Sequence, residues 1–169
     1  PGSRYGGVRA VNILVLCVGR LKEKYYADAC AEFLKRLSRY AQTRVVEVAD
    51  EKAPESMSDA QRRQVKDAEG ARLLEKLQPG DYVVAMDLSG KELTSEELAE
   101  FLQARMNEGK SSAAFLIGGS LGLSEAALQR ADYKLCFGKN TFSHQIFRLM
   151  LLEQIYRCFK ILKHEPYHK

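Results

Sequence analysis

Five short apolar runs, each followed by a longer stretch of another period, constrain this chain more than any other feature. Residues 11–18, 44–49, 82–87, 113–117 and 133–137 are too short for helices and each predicts a strand; the first, rich in β-branched residues and Leu, predicts a buried one. Between them the apolar positions recur at three- and four-residue spacing. Residues 24–38 place Tyr26, Ala29, Cys30, Phe33, Leu34 and Leu37 on one face and predict a helix. Ser58 with Gln61, and Thr94 with Glu97, are capping boxes that open two more. The first runs to about residue 77 and is closed by Pro79 and Gly80, with Gly70 interrupting its pattern. The second turns Leu98, Phe101, Leu102 and Met106 inward. Ser124 caps a short helix to about residue 131, and a last one spans 144–163. Residues 50–57, with Pro54, form a loop, and Ser89-Gly90 predicts a turn. Alternating strands and helices predict an α/β fold, a mainly parallel sheet with helices on both faces.

The chain has 169 residues, which suits one domain spanning 11–169. Residues 1–10, glycine-rich and without an initiator Met, are expected to be an appended, disordered start. Lys and Arg exceed Asp and Glu by 26 to 22, a mildly basic balance that permits an anionic partner and equally suits a solvated surface. Cys17, Cys30, Cys136 and Cys158 form no C-x-x-C pair, so buried thiols in a reducing cytoplasm are expected and a metal site is not. No run is long enough to span a membrane, and no signal peptide is evident, so a cytoplasmic protein is expected.

The last helix is apolar on more than one face. One side would meet the sheet and the other a second copy of the chain, which predicts a homodimer through Ile155, Phe159 and Leu162. The alternative is a helix covered by the chain's own loops.

Three segments carry candidate chemistry. The turn Gly118-Gly119-Ser120-Leu121-Gly122 ends a strand, where ligands of open α/β sheets sit. It matches neither a dinucleotide nor a P-loop fingerprint, and a purely structural turn is an equal reading. Residues 137–145 lead from a strand into a helix whose first turn offers backbone N–H groups. His144 and Arg148 share one face of that helix; a capping or surface histidine is the alternative. The tail combines Arg148, Arg157, Lys160, Lys163 and Lys169 with Tyr167, His164 and His168, a mixture that suits phosphate contact and base stacking. A frayed terminus is the plainer reading.

Five motifs in order then resemble one family: Val18-Gly19-Arg20-Leu21-Lys22-Glu23; Phe115-Leu116-Ile117-Gly118-Gly119-Ser120 with Gly122-Leu123; Thr141-Phe142 with His144-Gln145 and Arg148; Glu153-Gln154-Ile155-Tyr156-Arg157; and Pro166-Tyr167-His168-Lys169. Over residues 11–169 the chain resembles the ribosomal RNA large subunit methyltransferase H family of the SPOUT methyltransferases. It departs at Ser143, where the family usually has proline, which would fix φ ahead of the helix.

The resemblance implies a deep C-terminal trefoil knot, a homodimer and S-adenosylmethionine as methyl donor. The donor would be held by Met86, Gly118, Phe137, Gly138, Lys139, Asn140, Thr141 and Phe142. The implied reaction is methylation of N3 of a pseudouridine in large-subunit rRNA, in the assembled ribosome. His144, Arg148, Tyr167 and His168 are then expected on the RNA and catalytic side, Arg148 toward a phosphate or a uracil carbonyl. Gly118→Val is expected to spare the fold and weaken donor binding. The rival reading is a non-catalytic RNA- or ribosome-binding module. A Rossmann nucleotide enzyme is disfavoured because Val18-Gly19-Arg20 stands where its glycine fingerprint belongs.

Overall fold

Two neighbouring inner strands are apolar and buried, apart from the exposed Asn12 that opens the first, because they are covered on both faces. The computed structural model describes residues 11–109 and 112–169; the opening stretch set aside above lies outside them. β1 (Asn12–Val18) and β4 (Ala113–Ile117) pair in parallel, and every residue of β4 is buried. Outside β1 lies β2 (Gln42–Val48); outside β4 lie β3 (Tyr82–Glu92) and then β5 (Tyr133–Cys136). All the pairings are parallel, in the order β2-β1-β4-β3-β5. The edge strands behave as edges: β2 carries Arg44 and Glu47 with mixed burial, and β5 is only four residues long.

The helices divide between the faces. α1 (Lys24–Leu37), α3 (Ser95–Asn107) and α5 (His144–Leu162) bury Cys30, Leu37, Leu98, Leu102, Leu151 and Phe159 against one side. α2 (Asp59–Glu75) and α4 (Glu125–Arg130) cover the other with Leu73 and Ala127. Both expected capping boxes are formed, at Ser58 and at Thr94. Among the described residues no helix is long and apolar enough to cross a membrane. The four thiols are buried and unpaired, and burial pushes Cys17 and Cys158 up to about 12.

Three expectations are corrected. The Ser89-Gly90 turn is part of β3. The strand shifts register between Met86 and Lys91, then pairs again with β5 at Lys91 and Glu92. A Cβ on Gly90 would stand 2.6 Å from the Leu135 backbone nitrogen, so glycine is there for close strand contact. Gly70 does not disturb α2. A side chain there would begin 2.0 Å from Ser124 Oγ, so the glycine lets α2 lie on the start of α4. The third correction concerns α5. It lies between α1 and α3 and packs Leu151, Leu152, Ile155, Tyr156 and Phe159 into the core, while Ile146 stays exposed. Ile155 and Phe159 are 1% and 3% exposed within the single chain, so they are core rather than subunit interface.

Candidate active site

The carboxyl ends of β4 and β5, and β3 just beyond its last pairing with β4, open into one cleft of about 640 Å³. Met86, Asp87 and Leu88 line it from β3, Ile117 and the turn 118–122 from β4, and Leu135 to Gly138 from β5. Asn140, Thr141, Phe142, Ser143, His144 and Phe147 complete it. A parallel sheet puts ligands at this end because its loops converge there with their backbone groups unpaired.

Seven of the eight residues named for the donor therefore line one space: Met86, Gly118, Phe137, Gly138, Asn140, Thr141 and Phe142. Lys139 belongs to the same loop and is absent from the lining. His144 reaches the cleft as well. Sequence reasoning passed over Asp87, Leu88 and Phe147, which only the strand-end geometry brings in; Phe147 stacks on Phe137 with ring centroids 5.2 Å apart.

Two glycines make the walls possible. Gly122 has φ +88 and Gly138 has φ +126, values that L side chains rarely adopt. At both, the space where a side chain would begin is open. Gly118 is different. A Cβ there would stand 2.6 Å from the carbonyl carbon of Gly122 and 2.9 Å from Leu123 N, so the glycine lets the turn close on itself. The expected effect of Gly118→Val changes accordingly. The 118–122 turn has to open, which should lower the melting temperature by roughly 5–10 °C as well as spoil the cleft wall. A thermal melt matching the parent protein would show that the turn absorbs the side chain.

Ser143 stands where the resemblance leads to the expectation of proline. Its φ of −60 is the value proline would impose, and its hydroxyl accepts a bond from Ile146 N at 3.4 Å. One residue on, His144 packs with Cε1 3.6 Å from the space a Gly19 side chain would fill. Its Nδ1 is buried and has no hydrogen-bond partner. Burial, and then the nearby Arg148 charge, hold its pKa below the ordinary imidazole value.

Arg148 does not face the cleft. It is 3% exposed, and its guanidinium donates to Glu47 Oε2 at 2.6 Å and to the Gly19 carbonyl at 3.2 Å. It ties α5 to the ends of β1 and β2, which corrects its expected place against a phosphate or a uracil carbonyl.

The tail is anchored rather than frayed. Tyr167 donates to Glu153 Oε1 at 3.0 Å and packs edge-on against Tyr156 at 4.9 Å. Arg157 lies 4.7 Å over the Tyr167 ring. His168 sits between Glu96, 2.6 Å from Nε2, and Arg157, 3.2 Å from Nδ1. Neither Tyr167 nor His168 lines the cleft of its own chain. The anchor of Tyr167, Glu153, is nine residues along α5 from His144, roughly 13 Å down the axis.

Comparison with known proteins agrees with this architecture. A family model described as "Predicted SPOUT methyltransferase" matches residues 11–168. The chain is 55% identical over 159 residues to the ribosomal RNA large subunit methyltransferase H of Alkaliphilus oremlandii, covering 94% of this chain and all of that one. The protein of the same name from Carboxydothermus hydrogenoformans is 52% identical with the same coverage. Among solved structures, a probable methylase family protein from Haemophilus influenzae shares the fold at a TM-score of 0.51 and 13% identity, over 91% of this chain and 67% of that one.

Proposed function

The chain belongs to the SPOUT methyltransferase family, and from that premise we infer that it methylates large-subunit ribosomal RNA with S-adenosylmethionine, at N3 of a pseudouridine. The observation that carries the reading is the cleft. Met86, Ile117, Leu135 and Phe137 give it apolar walls, and the turn 118–122 and the loop 137–142 contribute backbone polar groups at its rim. A purine and its ribose are recognised by that combination. Asp87 is the only formally charged side chain among the described lining residues, and a carboxylate suits the cation of a sulfonium donor. Among the described residues no cluster of side chains could hold a metal ion.

The donor supplies a methyl group already activated on sulfur. The chain itself has to hold the nucleobase in line and to take the N3 proton. His144 suits proton acceptance, because burial and the Arg148 charge favour its neutral imidazole and its Nδ1 has no partner within the chain. His168 is less suited, since both its nitrogens are already engaged. Tyr167, His168 and Lys169 suit the holding of the base, as an aromatic face and polar groups for RNA.

The tail and the cleft lie apart in one chain, so the reading includes a homodimer in which one protomer's tail meets its partner's cleft. Leu88 on the cleft and Ile146 in the first turn of α5 are exposed apolar residues that support contact there, in place of Ile155 and Phe159. The reading also includes the trefoil knot. In its favour, the chain leaves edge strand β5 and returns as α5 to reach the ends of β1 and β2 through Arg148. Assembled ribosomes as substrate place the reaction in the cytoplasm.

Mass mapping of large-subunit rRNA from a strain lacking the gene tests the function. One methyl should be missing from a pseudouridine, and adding the purified protein with S-adenosylmethionine to those ribosomes should restore it. An unchanged methyl pattern overturns the substrate. A protein that binds ribosomes and no S-adenosylmethionine would be the non-catalytic module.

A further inference from the structure

One buried carboxyl has no part in the chemistry above. Glu69 on α2 is 4% exposed. Its Oε2 accepts the Glu51 N–H at 3.0 Å, while its Oε1 is buried without a partner. That oxygen faces the cleft's own wall. A Cβ on Gly119 would stand 3.0 Å from Oε1 and 3.2 Å from Oε2, so the carboxyl occupies the room a side chain would need. The next residue, Gly70, meets Ser124 in the same way. Glu69-Gly70 thus seats both ends of the segment 119–124 and, through Glu51, the segment between β2 and α2.

We propose that Glu69 is a positioning residue for the donor-binding turn, holding 118–122 against residues 49–52 and accepting a backbone N–H of that turn through Oε1 when S-adenosylmethionine binds. This rests on the donor reading of the cleft. The physical case is an unmet acceptor. A buried carboxyl oxygen without a donor is costly, and the turn at Gly119, whose side-chain room the carboxyl occupies, brings backbone N–H groups beside it. The charged groups acting on it are few: Asp50 and Glu51 from the segment after β2 and Arg72 on its own helix, with no titratable side chain in residues 118–122. Burial, the largest influence, raises the Glu69 pKa, and the Glu51 N–H lowers it again in part. A second N–H gained with the donor favours the ionised form. Donor affinity should therefore fall as the pH drops and Glu69 takes up a proton.

Calorimetric titration with S-adenosylmethionine at several pH values, paired with amide hydrogen exchange on the unliganded protein, tests this. Glu69→Ala should weaken donor binding about tenfold. It should also speed exchange at residues 50–52 and 118–122 while α5 keeps its protection. Glu69→Gln keeps an acceptor for Glu51 N–H and loses the one for the turn, so its affinity near pH 7 should fall about threefold or more, short of the loss in Glu69→Ala. It should lose the fall at lower pH, since the donor's own titration is common to both proteins. Parent-like affinity and exchange in Glu69→Ala, or a parent-like pH slope in Glu69→Gln, overturns the proposal. A parent protein that binds no S-adenosylmethionine defeats the donor reading instead, and the exchange arm then decides whether Glu69 seats the turn.

Discussion

Glutamine at position 144 lowers the rate of methyl transfer by about 10²–10⁴-fold, the usual worth of a positioned general base. The side chain keeps hydrogen-bonding atoms and similar bulk near Gly19, and α5 keeps its Ser143 cap, so the fold and donor affinity should hold. The pH profile separates this loss from simple misplacement. A base must be unprotonated to act, and His144 has its pKa held down by burial and by Arg148. In the parent enzyme kcat/KM is therefore present above that depressed pKa and lost as the pH falls through it. The acidic limb should lie below the ordinary imidazole range, and in His144→Gln it should vanish with the rate. A variant keeping a tenth or more of parental turnover would move proton acceptance onto the RNA or bulk water.

Much of the fold was legible because its signals are local. The run 113–117 is β4 to the residue, and a Ser or Thr three residues before Gln61 or Glu97 marks a helix start by chemistry alone. What could not be read locally is which surface an element meets. The apolar surplus of α5 suggested a second subunit, yet α1 and α3 flank it in the same chain. Gly70 and Gly90 looked like irregularities; each marks a place where another segment comes too close for a side chain.

The cleft is the extreme case of this. Met86 lies within β3 just past its pairing with β4, and Gly118 and Phe137 just past β4 and β5, strands whose order in the sheet is not their order in sequence. Spacing alone could not join them, and the family resemblance did. Arg148 shows the limit of that help. A basic residue beside a candidate site looks like a phosphate ligand until its bonds to Glu47 and Gly19 are seen. Glu69 carried a signal of a kind, an acidic residue beside a glycine inside a helix. Its meaning depends on Gly119, fifty positions away.

Removal of Tyr167, His168 and Lys169 should abolish methylation of ribosomes while S-adenosylmethionine affinity stays within about fivefold, the equivalent of one peripheral contact. The tail is held by Glu153, Arg157 and Glu96, away from the cleft of its own chain, so its loss leaves the lining intact. The fold should bear the loss, since the half-buried Tyr167 contributes only surface-level contacts, its ring against Tyr156 and Arg157 and its bond to Glu153, each worth about 0.5–1.5 kcal/mol. Collapse of donor binding together with activity would put the tail in the donor cleft. Full activity would make it a structural clasp on α5. The subunit from which the tail acts is a separate question with its own answer. Co-expression of the truncated chain with His144→Gln gives mixed dimers in which one cleft is intact and faces an intact tail, if tails cross between protomers. With random pairing, one site in four is then complete, and about a quarter of parental activity should return. If each tail serves its own cleft, every site in the mixture lacks one part and activity stays at the level of the single variants. Recovery in the mixture therefore requires both the dimer and the exchange of tails between its protomers.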